Sequence, residues 1–86
     1  MKFRLSDHAR EELIRRAIPP ALLTAVLERP EQIVPERGGA KAYQSRLAFG
    51  GGRIFLPRAI VRDDLTPPLV VTVYRTSKIA KYWRAT

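Results

Sequence analysis

The feature that most restricts the fold is a change of hydrophobic period at Pro30. Before it, apolar residues recur three and four positions apart, as on one face of a helix. After it they alternate with polar ones, as along half-buried strands. A chain with such a switch is expected to build an α+β fold, with helices grouped on one side of a sheet. Its 86 residues suffice for a single domain, 1–86.

Residues 2–5 alternate polar and apolar and predict a short first strand. Ser6 and Asp7 then offer an N-cap and a first-turn carboxylate for a helix over 7–16. Ala9, Leu13 and Ala17, joined by Ile14, are its expected inner stripe; Glu11–Arg15 and Glu12–Arg16 are its expected surface pairs. Ile18-Pro19-Pro20 stops this helix, and Pro20 starts a second with Ala21, Leu22, Ala25 and Val26 facing inward. Two helices so closely linked predict an antiparallel hairpin.

Beyond Pro30, 32–36 reads as an edge strand because it contains Pro35. A second strand over 41–49 would place Tyr43, Leu47 and Phe49 on one face and Gln44 and Arg46 on the other. A third over 53–61 is interrupted by Pro57, which suggests a bulge or an edge. The unbroken apolar run 69–74 predicts a central strand covered on both faces. Residues 77–83 read as a short helical turn or tail. The expected fold is therefore α+β: an N-terminal strand and a helical hairpin packed on a small, mostly antiparallel sheet.

Charge narrows the partners. Residues 1–43 carry eight basic and six acidic side chains, whereas 44–86 carry eight basic and only Asp63 and Asp64. Such a one-sided surplus favours a polyanion, nucleic acid or an acidic protein. The absence of cysteine excludes disulfides, thiolate catalysis and Cys-based metal sites, and a lone His8 excludes a histidine-rich one. Gly50-Gly51-Gly52 lacks the Lys-Ser/Thr of a phosphate loop, and the only adjacent carboxylates, Glu11-Glu12 and Asp63-Asp64, do not converge as a catalytic dyad would. No metal and no cofactor is expected. Neither a secretory leader nor a membrane-length apolar run is legible, so the expected location is the cytoplasm.

The chemistry-bearing residues gather late. Between Tyr74 and Arg84, Arg75, Lys78, Lys81 and Arg84 are interleaved with Tyr74, Tyr82 and Trp83. Cations can hold phosphate and aromatic faces can stack an unpaired base. The alternative is that Tyr82 and Trp83 cover the rim of the core while the cations stay solvated. Arg46 and Arg58 fall on sheet strands and could add to a basic surface, whereas Arg62 is placed to pair with its aspartate neighbours. His8 is the one side chain that titrates near neutrality unperturbed, a candidate base unless it merely packs at its helix start.

Leu5-Ser6-Asp7-His8-Ala9, Arg15-Arg16-Ala17-Ile18-Pro19, Val26-Leu27-Glu28-Arg29-Pro30 and above all Val70-Val71-Thr72-Val73-Tyr74-Arg75-Thr76-Ser77-Lys78-Ile79 resemble the family called domain of unknown function 4258 (DUF4258). That resemblance implies kinship with the RelE/ParE toxin superfamily, whose fold sets two N-terminal helices against a small antiparallel sheet. It further implies the toxin of a type II toxin–antitoxin pair, bound by an acidic antitoxin. RelE-like members cleave mRNA, generally in the ribosome; ParE-like members inhibit gyrase without being nucleases. The sequence lacks a paired-lysine strand motif and has no histidine near its C-terminus.

The expected activity is a metal-independent endoribonuclease acting on mRNA. Arg75 and Arg58 would hold the phosphate, Lys78 or Tyr82 would transfer protons, and His8 would be the base. Arg46, Lys81 and Arg84 would bind the nucleic acid. The alternative is a non-catalytic basic module: a gyrase inhibitor, or a binder of nucleic acid or an acidic protein.

Overall fold

The computed structural model describes residues 2–85. Strand β1 (Arg4–Leu5) is followed by helices α1 (Asp7–Arg15) and α2 (Pro20–Glu28), then by β2 (Gln32–Pro35), β3 (Lys41–Gln44), β4 (Leu47–Phe49), β5 (Arg53–Arg62), β6 (Leu69–Thr76) and the short α3 (Ile79–Tyr82). The main sheet runs β1-β6-β5-β3-β2, with β4 pairing the first part of β5. Only β1 is parallel to its neighbour; every other pairing is antiparallel. The α+β class and the two helices on a mostly antiparallel sheet agree with the sequence reading.

The helices cover one face, α1 over β6 and β1, α2 over β5 and β3. Between them lies the core: Ala9, Ile18, Leu23, Val26, Leu27, Tyr43, Phe49, Ala59, Val61, Val70 and Val73. Truncating one of its large members, such as Leu23→Ala, is worth about 2–5 kcal/mol.

Ser6 ties the first helix to the sheet. Its Oγ accepts from the Ala9 N–H at 3.0 Å, capping α1, and donates to the Val71 carbonyl at 2.7 Å. That carbonyl belongs to a bulge: Ile60 pairs with Thr72 and Val61 with Val70, so Val71 is an extra residue without an opposite number. The bulge lets Val70 and Val73 both face the helices.

Several sequence expectations need correction. In α1 the buried positions are Ala9 and Glu12, while Ile14 is 84% exposed because it lies well round the helix from Ala9. Glu12 tolerates its place by accepting from Arg15 (2.9 and 3.1 Å) and Arg16 (2.6 Å); the expected Glu11–Arg15 pair is replaced by Glu12–Arg15. Ala17 lies beyond the helix, at φ 51°. There the Ala17 N–H donates to Ile14 and the Ile18 N–H to Leu13, a Schellman ending with alanine where glycine is usual. In α2 the inner residues are Leu23, Val26 and Leu27, not Ala21.

The stretch 41–49 is two strands rather than one. Glu31 interrupts it, accepting from the Arg46 N–H (2.7 Å) while its own N–H donates to Ser45 Oγ (2.9 Å). Both halves still pair with β5, and Pro57 falls where β5 passes from β4 to β3 and has no partner on that side. The bulge expected at Pro57 lies instead opposite Ile60 and Val61. β6 is interior as expected, but its second face is only partly covered: Val71 is 37% exposed.

Candidate nucleic-acid interface

Alternation along β5 fixes the site. Ala59 and Val61 point into the helix-side core, so Arg58 points to the opposite face, beside Gln44 on β3 and Tyr74 on β6, which share its register row. The Arg58 side chain is 3% exposed. Its Nε donates to Gln44 Oε1 at 2.7 Å, its Nη2 to Glu36 Oε2 at 3.0 Å and its Nη1 to the Tyr74 hydroxyl. Burial of Tyr74 pushes its hydroxyl above the usual phenol range, partly opposed by the adjacent Arg58 charge.

The C-terminal segment folds back over this row. Lys78 turns the chain, its N–H donating to Thr76 Oγ1 at 3.0 Å, and α3 brings the Tyr82 ring to 4.4 Å from the Arg58 guanidinium carbon and edge-on to Tyr74. Gln44 Nε2 reaches the Tyr82 carbonyl (3.2 Å) and Gln32 Oε1 (2.9 Å). Gln32 in turn accepts from the Arg84 N–H at 3.1 Å and donates to the Arg84 carbonyl. Arg46 lies 4.0 Å over the Trp83 ring while clasping Glu31 through two bonds of 3.1 and 3.2 Å. Those bonds hold the Glu31 carboxyl below its usual range. Among the described residues no buried side-chain nitrogen or oxygen is left without a partner.

The expected site residues therefore separate. Arg46, Arg58 and Tyr82 lie together on the second face, with Lys78, Lys81 and Arg84 exposed along the segment that crosses it. Arg46 and Arg58 each already hold a carboxylate. Arg62 pairs with Asp64 at 2.7 Å, as its neighbours suggested. Arg75, one register step from Arg58, faces the helix side and lies over Phe49 and Phe55 at 4.5 and 4.8 Å. His8 is exposed in the first turn of α1, so the sheet stands between it and Tyr82. The four residues given chemical roles do not form one cluster.

Sequence reasoning missed the partners that bury Arg58. Glu36, Gln44 and Gln32 read as ordinary turn and strand polars, although Gln44 and Arg58 would be found opposite one another once β3 and β5 are paired. It also missed Arg53, which stands over Phe55 at 5.2 Å. Among the described residues Arg53, Arg75, Lys78, Lys81 and Arg84 pair with no carboxylate, so five of the eight cations of the second half are uncompensated. No group of three or more potential metal-ligating side chains occurs among the described residues, and no helix there is long and apolar enough to cross a membrane.

No curated protein and no solved structure matches the chain. Residues 5–75 match the family described as Domain of unknown function (DUF4258). That span covers both helices and most of the sheet, from Leu5 of β1 to Arg75 of β6, and the chain belongs to the DUF4258 family.

Proposed function

We propose that the protein is the toxin of a type II toxin–antitoxin pair, that it acts on RNA, and that the C-terminal segment is its gripping surface. The observation that carries this reading is the run of exposed cations Lys78, Lys81 and Arg84 around Tyr82 and Trp83, which pair with no carboxylate among the described residues. Polyphosphate would replace the missing counter-charge, and the aromatic rings offer stacking edges to unpaired bases. Kinship with RelE/ParE toxins, suggested by the closing strand sequence, supports the toxin assignment. An acidic antitoxin would neutralise the same cations.

In its catalytic form the protein is a metal-independent endoribonuclease. The ribose 2′-oxygen bonds to the adjacent phosphorus, the bond to the 5′-oxygen breaks, a base takes the 2′ proton and an acid protonates the leaving oxygen. Lys78 and Tyr82, on the segment that crosses the second face, are the proton-transfer candidates, whereas Arg75 lies on the helix side away from them. A second reading, a non-catalytic module of the gyrase-inhibitor kind or a binder of RNA or acidic protein, is favoured by one observation: Arg75, His8 and Tyr82 do not converge.

Purified protein is incubated in chelator with RNA alone and with ribosomes programmed with message. Cyclic-phosphate and 5′-hydroxyl ends support the nuclease; binding without product supports the module. Expression should arrest growth, and a triple variant Lys78→Gln, Lys81→Gln, Arg84→Gln should relieve the arrest and weaken RNA binding while staying folded. A folded triple variant that still arrests growth and binds RNA as tightly overturns the reading.

A further inference from the structure

On the helix side, away from the C-terminal segment, an open cleft of about 570 Å³ lies between the α1–α2 turn and the β4–β5 hairpin. One wall is apolar: Ala17, Pro19 and Leu22. The other is built by three adjacent strands. Phe49 on β4 faces Arg53 on β5 across the ladder, Phe55 follows two residues on, and Arg75 comes from β6 opposite Pro57. Phe49 and Phe55 meet edge to face at 5.3 Å, and the two guanidiniums lie against these rings.

We propose that this cleft is a nucleotide site, taking a nucleoside monophosphate with its phosphate on Arg53 and Arg75 and its base against the apolar wall. Two like charges here have no carboxylate among the described residues, so an anion is the missing partner. Stacking on an aromatic face occupies the flat side of a guanidinium and leaves its N–H edge for a planar or tetrahedral oxyanion. A bare inorganic anion would use the cations and leave Pro19 and the exposed part of Leu22 in water; a base attached to the phosphate covers them. The volume falls within the ~300–1,000 Å³ of small-molecule sites. The same chemistry is presented by a free mononucleotide and by the phosphorylated end of an RNA strand. This site is on the opposite face from the surface assigned to RNA above and stands whether or not the protein is a toxin.

The test is titration of the isotopically labelled protein with AMP, UMP, adenosine and inorganic phosphate, followed by amide shifts and calorimetry. AMP should move the amides of Ala17, Leu22, Phe49 and Arg53, with Trp83 fluorescence unchanged, and should bind more tightly than adenosine or phosphate. Arg53→Gln, a change at an exposed residue that leaves the fold intact, should weaken AMP about tenfold, the loss of roughly one charge-assisted bond. Lys81→Gln on the other face should leave AMP binding unchanged. A short RNA binding more tightly with a 5′-phosphate than with a 5′-hydroxyl identifies the strand end as the source; equal binding of the two with retained AMP affinity identifies the free nucleotide. Silent cleft amides, phosphate binding as tightly as AMP, or an Arg53→Gln affinity within twofold of the parent overturns the proposal.

Discussion

Arg58 and Arg75 stand one register step apart on neighbouring strands and lead opposite lives. Arg58 is buried, with a carboxylate, an amide, a phenol and an aromatic face arranged around it. Arg75 lies on two phenylalanine rings beside an open cleft and meets no carboxylate among the described residues. The first closes the second face and anchors the C-terminal segment; the second keeps its charge for a ligand. Both are arginines inside neighbouring strands of one sheet, so the difference comes from what the alternation of each strand places around them.

The sharpest way to break that contrast is Arg58→Met. Removing one partner of a buried pair strands Glu36 and Gln44, and the expected loss is about 3–5 kcal/mol of unfolding free energy in a denaturant titration. A loss below about 1 kcal/mol, the level of an exposed pair, would mean that the closed face does not depend on its arginine. Arg75→Gln should behave in the opposite sense. Its stability cost is held to about 1 kcal/mol, the worth of its ring contacts, while nucleotide binding in the cleft is lost. A folded Arg75→Gln protein that binds AMP as tightly as the parent would remove the cleft arginine from that role.

Much of this contrast was hidden in the chain, although the architecture was not. The change of period at Pro30, the Ser6 cap and the Pro19-Pro20 stop are local signals, and they located both helices and the sheet. Pro35 correctly marked an edge, since β2 ends the sheet. What failed were properties that depend on pairing. A carboxylate at Glu12 looks like a surface residue until two arginines a turn later close over it, and Ile14 looks like core until the helix is docked. The break at Ser45 and Arg46 is made by Glu31, fourteen and fifteen residues earlier. The basic character of the second half was legible, and so was the pairing of Arg62 with its aspartate neighbours; that Arg46 and Arg58 are already spent on Glu31 and Glu36 was not, because those carboxylates lie far away along the chain.

Two smaller tests probe the rim of the open side. Arg15 and Arg16, through their hydrogen bonds, hold the Glu12 carboxyl down to about 2 against an ordinary value of 4.5. The folded form therefore binds its proton later than the unfolded chain, and the stabilisation is complete above pH 4.5 and disappears as pH falls through about 2. Denaturant midpoints measured between these limits should fall with acid, and Glu12→Gln should flatten that part of the curve; an unchanged slope would show the pair to be idle. Smallest is Ala17→Gly. Glycine relieves the left-handed backbone at the cleft wall, offset in part by greater freedom when unfolded, and a gain of about 0.5–1 kcal/mol is expected from thermal unfolding. A loss of stability would mean that the alanine methyl contributes more than its conformation costs.

The extra residue at Val71 reaches further than the packing of its own strand. Were Val71 paired like its neighbours and the alternation regular from Val70, the in–out order of β6 would turn Tyr74 toward the helices and send Arg75 to the side where Tyr82 rests. A single unpaired position, latched by the hydroxyl of Ser6, thus works as a phase setting for everything downstream. A relative that keeps every residue of this run but pairs the extra one regularly would exchange the two sides of the protein on which its arginine and tyrosine are offered.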